Sequence, residues 1–457
     1  MNGSLNTEDL ASLRSSVRGE VITPAEDEYE AARRLFYGNV EKRPTGIVRV
    51  TDADDVAATI SFATNRDIDF TVRSGGHSVA GHGGVDDGLV IDVRELNRID
   101  LDPSARTVWA GSGLTAAELT AATGDHGLAV GFGDTGSVGI GGITLGGGVG
   151  FLARKHGLTI DSLLAAEIVT PSGEVIVADA NNHPDLFWAI RGGGGNFGVA
   201  TRFKYALHPV DKIVGGMIVL PATRDTVAGF IAESEAAPEE LSTIANVMTG
   251  PAMPLISEDL VGETVIMGLF AWCGDLTEGH RMVDLFRNLA EPLADMVAEI
   301  SYPEIYAPED EDYQPTAFGL NGFSDDLTDD HVTTILEAVA ASDAPMRVVQ
   351  IRALQGAVAR VPADATAYAH RDRKLMINTA SFYESETDRP RRAAWVRELH
   401  STLTSDDAAY VGFLDDEGED RIRAAYPGTT WSRLREIKGK YDPDNLFHHN
   451  QNIPPDR

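Results

Sequence analysis

Short apolar-rich stretches mark strands at Gly46-Ile47-Val48-Arg49-Val50 and, with strict alternation, at Asp69-Phe70-Thr71-Val72-Arg73. The segment between them has helical spacing and opens on a Thr51-x-x-Asp54 capping signal, so a small βαβ-like unit is predicted. Strand patterns continue at 89–93 and 107–110, followed by a helix from Thr115 to Thr123. Further on, 166–170 and 174–178 flank Pro171-Ser172-Gly173 as a hairpin, and 199–205 alternates as another strand.

The texture changes after His208-Pro209-Val210. A strand at 216–220, a helix near 226–234 and a long amphipathic helix near 278–296 read as a second α+β domain. Strands at 348–354, 375–382 and 409–414, with a helix near 391–402, predict an antiparallel sheet backed by helices. The acidic run 308–312 reads as a solvated tip rather than a metal site.

Between Gly133 and Gly150 the chain reads GDTGSVGIGGITLGGGVG. So many glycines forfeit backbone entropy unless something approaches the main chain closely, and their bare N–H groups can form a nest for a pyrophosphate. Interleaved Val138, Ile140, Ile143, Leu145 and Val149 exclude a flexible linker. No Lys-Ser or Lys-Thr follows, which excludes the phosphate loop of nucleotide triphosphatases. Gly193 to Gly198 matches G-x-G-x-x-G, but a helix precedes it and a strand follows, the reverse of the dinucleotide-binding order.

The chain has 457 residues, enough for two or three domains, and no stretch approaches a membrane span. Its N-terminus lacks a secretory pattern, so a cytoplasmic location is expected. Cys273, the single cysteine, excludes an intramolecular disulfide and reads as a buried strand thiol. A formal charge of −32 argues against nucleic acid and anionic membranes as partners. Seven lysines against 31 arginines fit either a salt-adapted surface or a GC-rich genome.

Five motifs in order then carry a resemblance. They are Val72-Arg73-Ser74-Gly75-Gly76-His77-Ser78, Gly139-Ile140-Gly141-Gly142, Leu145 to Gly150, Phe187 to Gly198, and Tyr441-Asp442-Pro443-Asp444-Asn445-Leu446-Phe447. Together they resemble the FAD-linked oxidases of the vanillyl-alcohol-oxidase (PCMH-type) superfamily, in the berberine-bridge-enzyme branch that includes 6-hydroxy-D-nicotine oxidase. The resemblance covers 37–210 and 420–457 and is weak between them. It implies an α+β fold with an N-terminal extension (1–36), an FAD-binding domain (37–210), an inserted substrate domain (211–419) and a C-terminal segment (420–457) returning to the FAD domain.

The resemblance also implies roles. His77 is expected to carry FAD covalently through the flavin 8α-methyl, with Arg73, Ser74, Gly75, Gly76 and Ser78 supporting the pyrophosphate. Gly133, Asp134, Thr135, Ser137, Val138, Gly139, Gly142, Ile143, Gly146, Gly147, Gly150, Val199, Asn450 and Gln451 complete the expected cofactor site. Thr135 stands where many relatives carry a second attaching cysteine, so a single linkage is implied. Val138 occupies a position that gates oxygen, implying an oxidase that uses molecular oxygen and yields hydrogen peroxide. Tyr410 is the expected catalytic base, with Tyr368 and His370 as alternatives, although Gly412 stands where the family often has asparagine. No metal is expected: His77 and His82 lack further ligands at compatible spacing.

Two other classes stay open on the residues alone. A flavin carrier without catalysis would keep the cofactor motifs, and a nicotinamide dehydrogenase would use Gly193 to Gly198. The substrate is a small molecule of alcohol, sugar or amine type, undetermined within those classes.

Overall fold

Short strands rich in aliphatic side chains build the first sheet, in the order Glu20–Ile22, Gly46–Arg49, Leu89–Asp92, Phe70–Arg73. The computed structural model describes residues 6–251, 260–306, 309–310 and 312–456. Leu89–Asp92 runs parallel to both Gly46–Arg49 and Phe70–Arg73, and the helix Ala53–Thr64 joins those two, as the βαβ-like pattern predicts. The cap differs from the expected one. Asp52 caps the helix by accepting the Asp55 N–H, whereas Thr51 donates its hydroxyl to the Asp55 carboxylate. That buried carboxylate also takes the N–H groups of Arg18 and Gly19, which tie the N-terminal segment to the sheet.

A second, antiparallel sheet has the order Ile99–Asp102, Thr107–Gly111, Val199–Ala206, Leu163–Val169, Val175–Asp179. The predicted hairpin is present and turns at Gly173 with φ 81°. Thr115 caps the helix Ala116–Gly124 in a reciprocal box with Glu118. The helix Pro184–Ala189 precedes Gly193 to Gly198 and the strand Val199–Ala206 follows, so the order of elements is the reverse of a dinucleotide fingerprint. No element is predicted for the glycine run, yet Ile140–Gly146 is helical. Each helical glycine costs about 1 kcal/mol, and burial of Ile140, Thr144 and Leu145 opposes that cost.

The third sheet is antiparallel. Along its main path lie Lys212–Pro221, Thr264–Trp272, Leu241–Thr249, Arg347–Ala353, Leu375–Phe382 and Ala317–Ser324. Helices Arg224–Ala236, Leu276–Arg287, Asp329–Ala341 and Arg389–Leu403 pack into one apolar cluster with it. Two expectations are corrected. The helix placed at 278–296 ends at Arg287, with Asn288 as its C-cap and Pro292 following, and the chain then pairs with the sheet at Ala294–Asp295. The strand placed at 409–414 is a single 3₁₀ turn, Val411–Phe413, because this segment turns over the glycine run instead of joining the sheet.

Cys273 lies just past Trp272, buried, with Sγ 3.7 Å from His156 Nε2; burial pushes its thiol up to about 11, which disfavours the thiolate. Of the acidic run, Pro308 and Glu311 lie outside the described residues, while Glu309 and Asp310 are exposed. Among the described residues, no helix is long and apolar enough to cross a membrane.

The C-terminal helix Thr429–Tyr441 returns the chain to the first two sheets through Lys438. Its buried ammonium donates to Asn196 O at 2.7 Å, to Asp442 at 2.6 Å and to Phe447 O at 2.9 Å.

Candidate active site

Where the strand end Arg73, the glycine run and the C-terminal segment meet, they enclose a cavity of about 380 Å³, within the range of ligand sites. Two glycine segments cross there. A Cβ at Gly75 would sit 2.3 Å from Gly139 N, and one at Gly139 would sit 2.2 Å from Gly75 N, so only glycine permits the approach. Gly142 and Gly195 also line the cavity, but a Cβ on either would meet nothing within 4 Å. These are the places where a ligand can lie against bare backbone. Such a cradle fits a flavin dinucleotide.

His77 lines the cavity with its ring stacked on Phe36 at 4.1 Å and its Nε2 3.0 Å from Ser137 Oγ. Burial lowers its pKa to about 4, so the ring is neutral at pH 7 and one nitrogen keeps a free lone pair. Ser137 in turn donates its hydroxyl to Glu309 Oε2 at 2.5 Å, and its backbone N–H to Glu309 Oε1 at 3.0 Å.

Arg73 is also in the wall, yet its charge is engaged: Nη2 donates to the fully buried Asp92 at 2.7 Å. Burial works against the Asp92 charge, and the Arg73 and Arg94 guanidiniums outweigh it, keeping the carboxyl below its usual range. Nε and Nη1 of Arg73 have no partner in the protein, and buried donors in that condition call for a ligand or water.

Most residues expected at the cofactor site line this cavity: Arg73 to Ser78, Gly133, Asp134, Thr135, Val138, Gly139, Gly142, Ile143, Gly146, Val199, Asn450 and Gln451. Three do not. Ser137 sits behind His77; Gly147, at φ 136°, packs beneath the Tyr410 and Tyr368 rings; and a Cβ at Gly150 would strike the Phe132 carbonyl at 1.5 Å, so this glycine serves the fold. Residues the sequence reading missed include Phe36, Tyr37, His82, Asn196, Phe413 and His449. Only Asn196, inside a quoted glycine motif, carried a signal. His77 and His82 join no cluster of three metal ligands among the described residues.

Tyr410 reaches the cavity from the C-terminal side, held at both ends. Its N–H donates to Asn321 Oδ1 at 2.6 Å and its hydroxyl oxygen accepts the Gly148 N–H at 3.0 Å. Burial pushes its pKa up to about 12. Tyr368 and His370 lie outside the cavity lining. Tyr368 packs edge-on to Tyr410 at 5.9 Å, its buried hydroxyl unpartnered, and burial raises its pKa. His370 packs against Phe323 at 4.9 Å and burial lowers its pKa to about 4.

Outside the cavity lining, the third sheet carries a row of amides that sequence analysis did not find. Asn246, Gln350, Asn378 and Asn321 are direct cross-strand partners, so they share one face. Gln350 Nε2 donates to Asn246 Oδ1 and Asn378 Nδ2 to Gln350 Oε1, each at 2.9 Å. Two positions past Gln350, Arg352 donates to Gln350 and, at 2.7 Å, to Asp134 in the cavity wall. Polar residues at period two in the apolar strand 347–353 were the available signal.

This chain is similar in sequence and fold to known proteins. The FAD binding domain family model matches residues 44–179, and the model described as berberine and berberine like matches 409–454. (R)-6-hydroxynicotine oxidase of Paenarthrobacter nicotinovorans is 29% identical over 96% of this chain and 98% of its own. An FAD-linked oxidoreductase of Dictyostelium discoideum is 28% identical over 96% and 95%. Among solved structures, 6-hydroxy-D-nicotine oxidase from Arthrobacter nicotinovorans superposes with a TM-score of 0.85 at 26% identity, covering 96% of this chain and 99% of that one. A xylooligosaccharide oxidase from Myceliophthora thermophila shares the fold, with a TM-score of 0.85 at 22% identity over 98% and 99%.

Proposed function

The chain belongs to the FAD-linked oxidoreductases with a PCMH-type flavin domain, in their berberine-bridge-like branch, and from that premise we propose a singly flavinylated oxidase. FAD is joined to His77 through its 8α carbon, a small alcohol, sugar or amine is the hydride donor, and dioxygen is the acceptor, giving hydrogen peroxide. The observation that carries this reading is the placement of His77 in a glycine-lined cavity whose wall also holds Tyr410.

When bound, FAD supplies a ring that accepts the hydride. The protein supplies the rest. Residues 37–210 and 420–457 form the flavin unit, joined in the cavity wall by residues 410–414, and 211–419 supply the substrate sheet. The amide row, with Arg352 neutralised by Asp134, favours a neutral polar substrate that both donates and accepts hydrogen bonds. Tyr410 takes the proton from the substrate heteroatom, and the Gly148 N–H on its oxygen favours the phenolate that results.

Acid-precipitated protein should retain its flavin, and anaerobic mixing with alcohols, sugars and amines should bleach it. Air should restore the colour quickly, and more slowly in Val138→Leu. Complete release of flavin on denaturation overturns the attachment, bleaching by no substrate points to a carrier, and sluggish reoxidation points to a dehydrogenase.

A further inference from the structure

We propose that Glu309 and Ser137 form a relay that fixes the tautomer of His77 and directs attachment of the flavin to Nδ1; this rests on the covalent reading above. Glu309 comes from the inserted segment, 172 positions from Ser137, and its carboxylate takes both the Ser137 N–H and the Ser137 O–H.

A serine hydroxyl has one proton. Ser137 spends it on Glu309, so toward His77 at 3.0 Å its oxygen can only accept. Nε2 therefore carries the hydrogen of the neutral ring, and Nδ1 carries the lone pair. Stacking on Phe36 holds the ring plane. Burial, which keeps the ring neutral at pH 7, keeps that lone pair free.

In the attachment step the Nδ1 lone pair forms the N–C bond to the 8α carbon and a methyl C–H bond breaks. The electron pair of that bond passes into the flavin ring, which ends two electrons reduced. The methyl proton is lost, and the Nε2 proton moves through Ser137 Oγ to the exposed Glu309 and then to solvent. Dioxygen, as two-electron acceptor, restores the oxidised ring and leaves as hydrogen peroxide. Glu309 and Ser137 are thus positioning residues that touch the nucleophile's far nitrogen and not the flavin carbon.

The plain alternative is that Glu309 merely anchors its segment to the glycine run. Glu309→Gln separates the two, because glutamine keeps the shape and one acceptor but can turn its NH₂ toward Ser137. The serine would then donate to Nε2 and leave the wrong nitrogen protonated.

Chain purified from flavin-limited cells is mixed with FAD, and the flavin surviving acid precipitation is followed in time. The linked nitrogen is identified after proteolysis by comparison with the two histidyl-flavin isomers. The native chain should attach FAD through Nδ1. Glu309→Gln and Ser137→Ala should attach it at least tenfold more slowly while still binding FAD non-covalently, and Glu309→Asp should recover most of the rate. A native chain that never attaches flavin overturns the covalent reading itself. Native attachment through Nε2, or Glu309→Gln and Ser137→Ala attaching at the native rate, overturns the relay alone.

Discussion

The Tyr410 hydroxyl oxygen accepts the backbone N–H of Gly148 at 3.0 Å, so a residue 262 positions further along the chain is pinned to the end of the glycine run. The bond leaves the phenolic proton free and favours the deprotonated oxygen, while burial opposes ionisation and pushes the pKa up to about 12. Tyr410→Phe removes one hydroxyl and little volume. Flavin reduction should slow by roughly 10²-fold or more, and the rise of the native rate with pH toward 12 should disappear. Stopped-flow reduction across pH checks both; an unchanged rate with flavin still attached would shift the role to His370 or Tyr368.

Gly412 explains how that ring is accommodated. A Cβ there would lie 2.7 Å from two Tyr410 ring carbons and 2.8 Å from its hydroxyl, so Gly412→Ala must displace the ring from Gly148. Reduction should fall by roughly tenfold or more with flavin content unchanged, a loss between native and Tyr410→Phe. An alanine variant that reduces at the native rate would mean that the contact with Gly148 has no catalytic part.

The cavity wall was legible because its residues are local in sequence. Runs such as Arg73 to Ser78 and Gly139 to Gly142 reach the cavity together, and Gly75 and Gly139 approach each other as closely as glycines allow. What was hidden depends on contacts distant in sequence. Glu309 meets Ser137 across 172 positions, and the amide row exists only once three strand registers bring Asn246, Gln350, Asn378 and Asn321 side by side. The apolar run at 409–414 reads as a strand, yet it folds as a turn because Tyr410 is tied to Asn321 and Gly148 rather than to a ladder.

Lys438 and Asp442 form a fully buried ion pair that also satisfies the Asn196 and Phe447 carbonyls and the Leu446 and Phe447 amides. Lys438→Met leaves a carboxylate buried without its countercharge, which costs about 3–5 kcal/mol. Chemical denaturation should show that loss, and non-covalent FAD affinity should weaken because the Asn196 loop is released. Stability within 1 kcal/mol of native would refute the assignment of this pair as the clasp of the C-terminal segment.

With a charge of −32, self-repulsion at the surface opposes folding, and added salt screens it. Exposed charges interact over roughly 10 Å at 0.1 M ionic strength and about 3 Å at 1 M. If the acidity is a salt adaptation, Tm should climb steeply between those concentrations of KCl. A flat profile assigns the scarcity of lysine to genome composition.

Acid should unfold the protein through its buried histidines. His82, His156, His370 and His400 are each lowered to about 4 by burial, against about 6.5 in an unfolded chain. Between those values the unfolded chain binds more protons, so stability is complete above pH 6.5 and declines as pH falls toward 4. A shift of this size contributes at most about 3 kcal/mol per ring. His370 isolates the effect, since its Nε2 has no partner and its ring packs on Phe323, near Arg373 and Asp406. His370→Leu should keep near-native stability at pH 7.5 and lose less than the native chain between pH 6.5 and 4.5. Comparing the two proteins cancels the carboxylates that titrate over the same range, including Asp415 and Glu417, which burial raises. Identical slopes in paired denaturation curves would show that His370 does not contribute to the acid response.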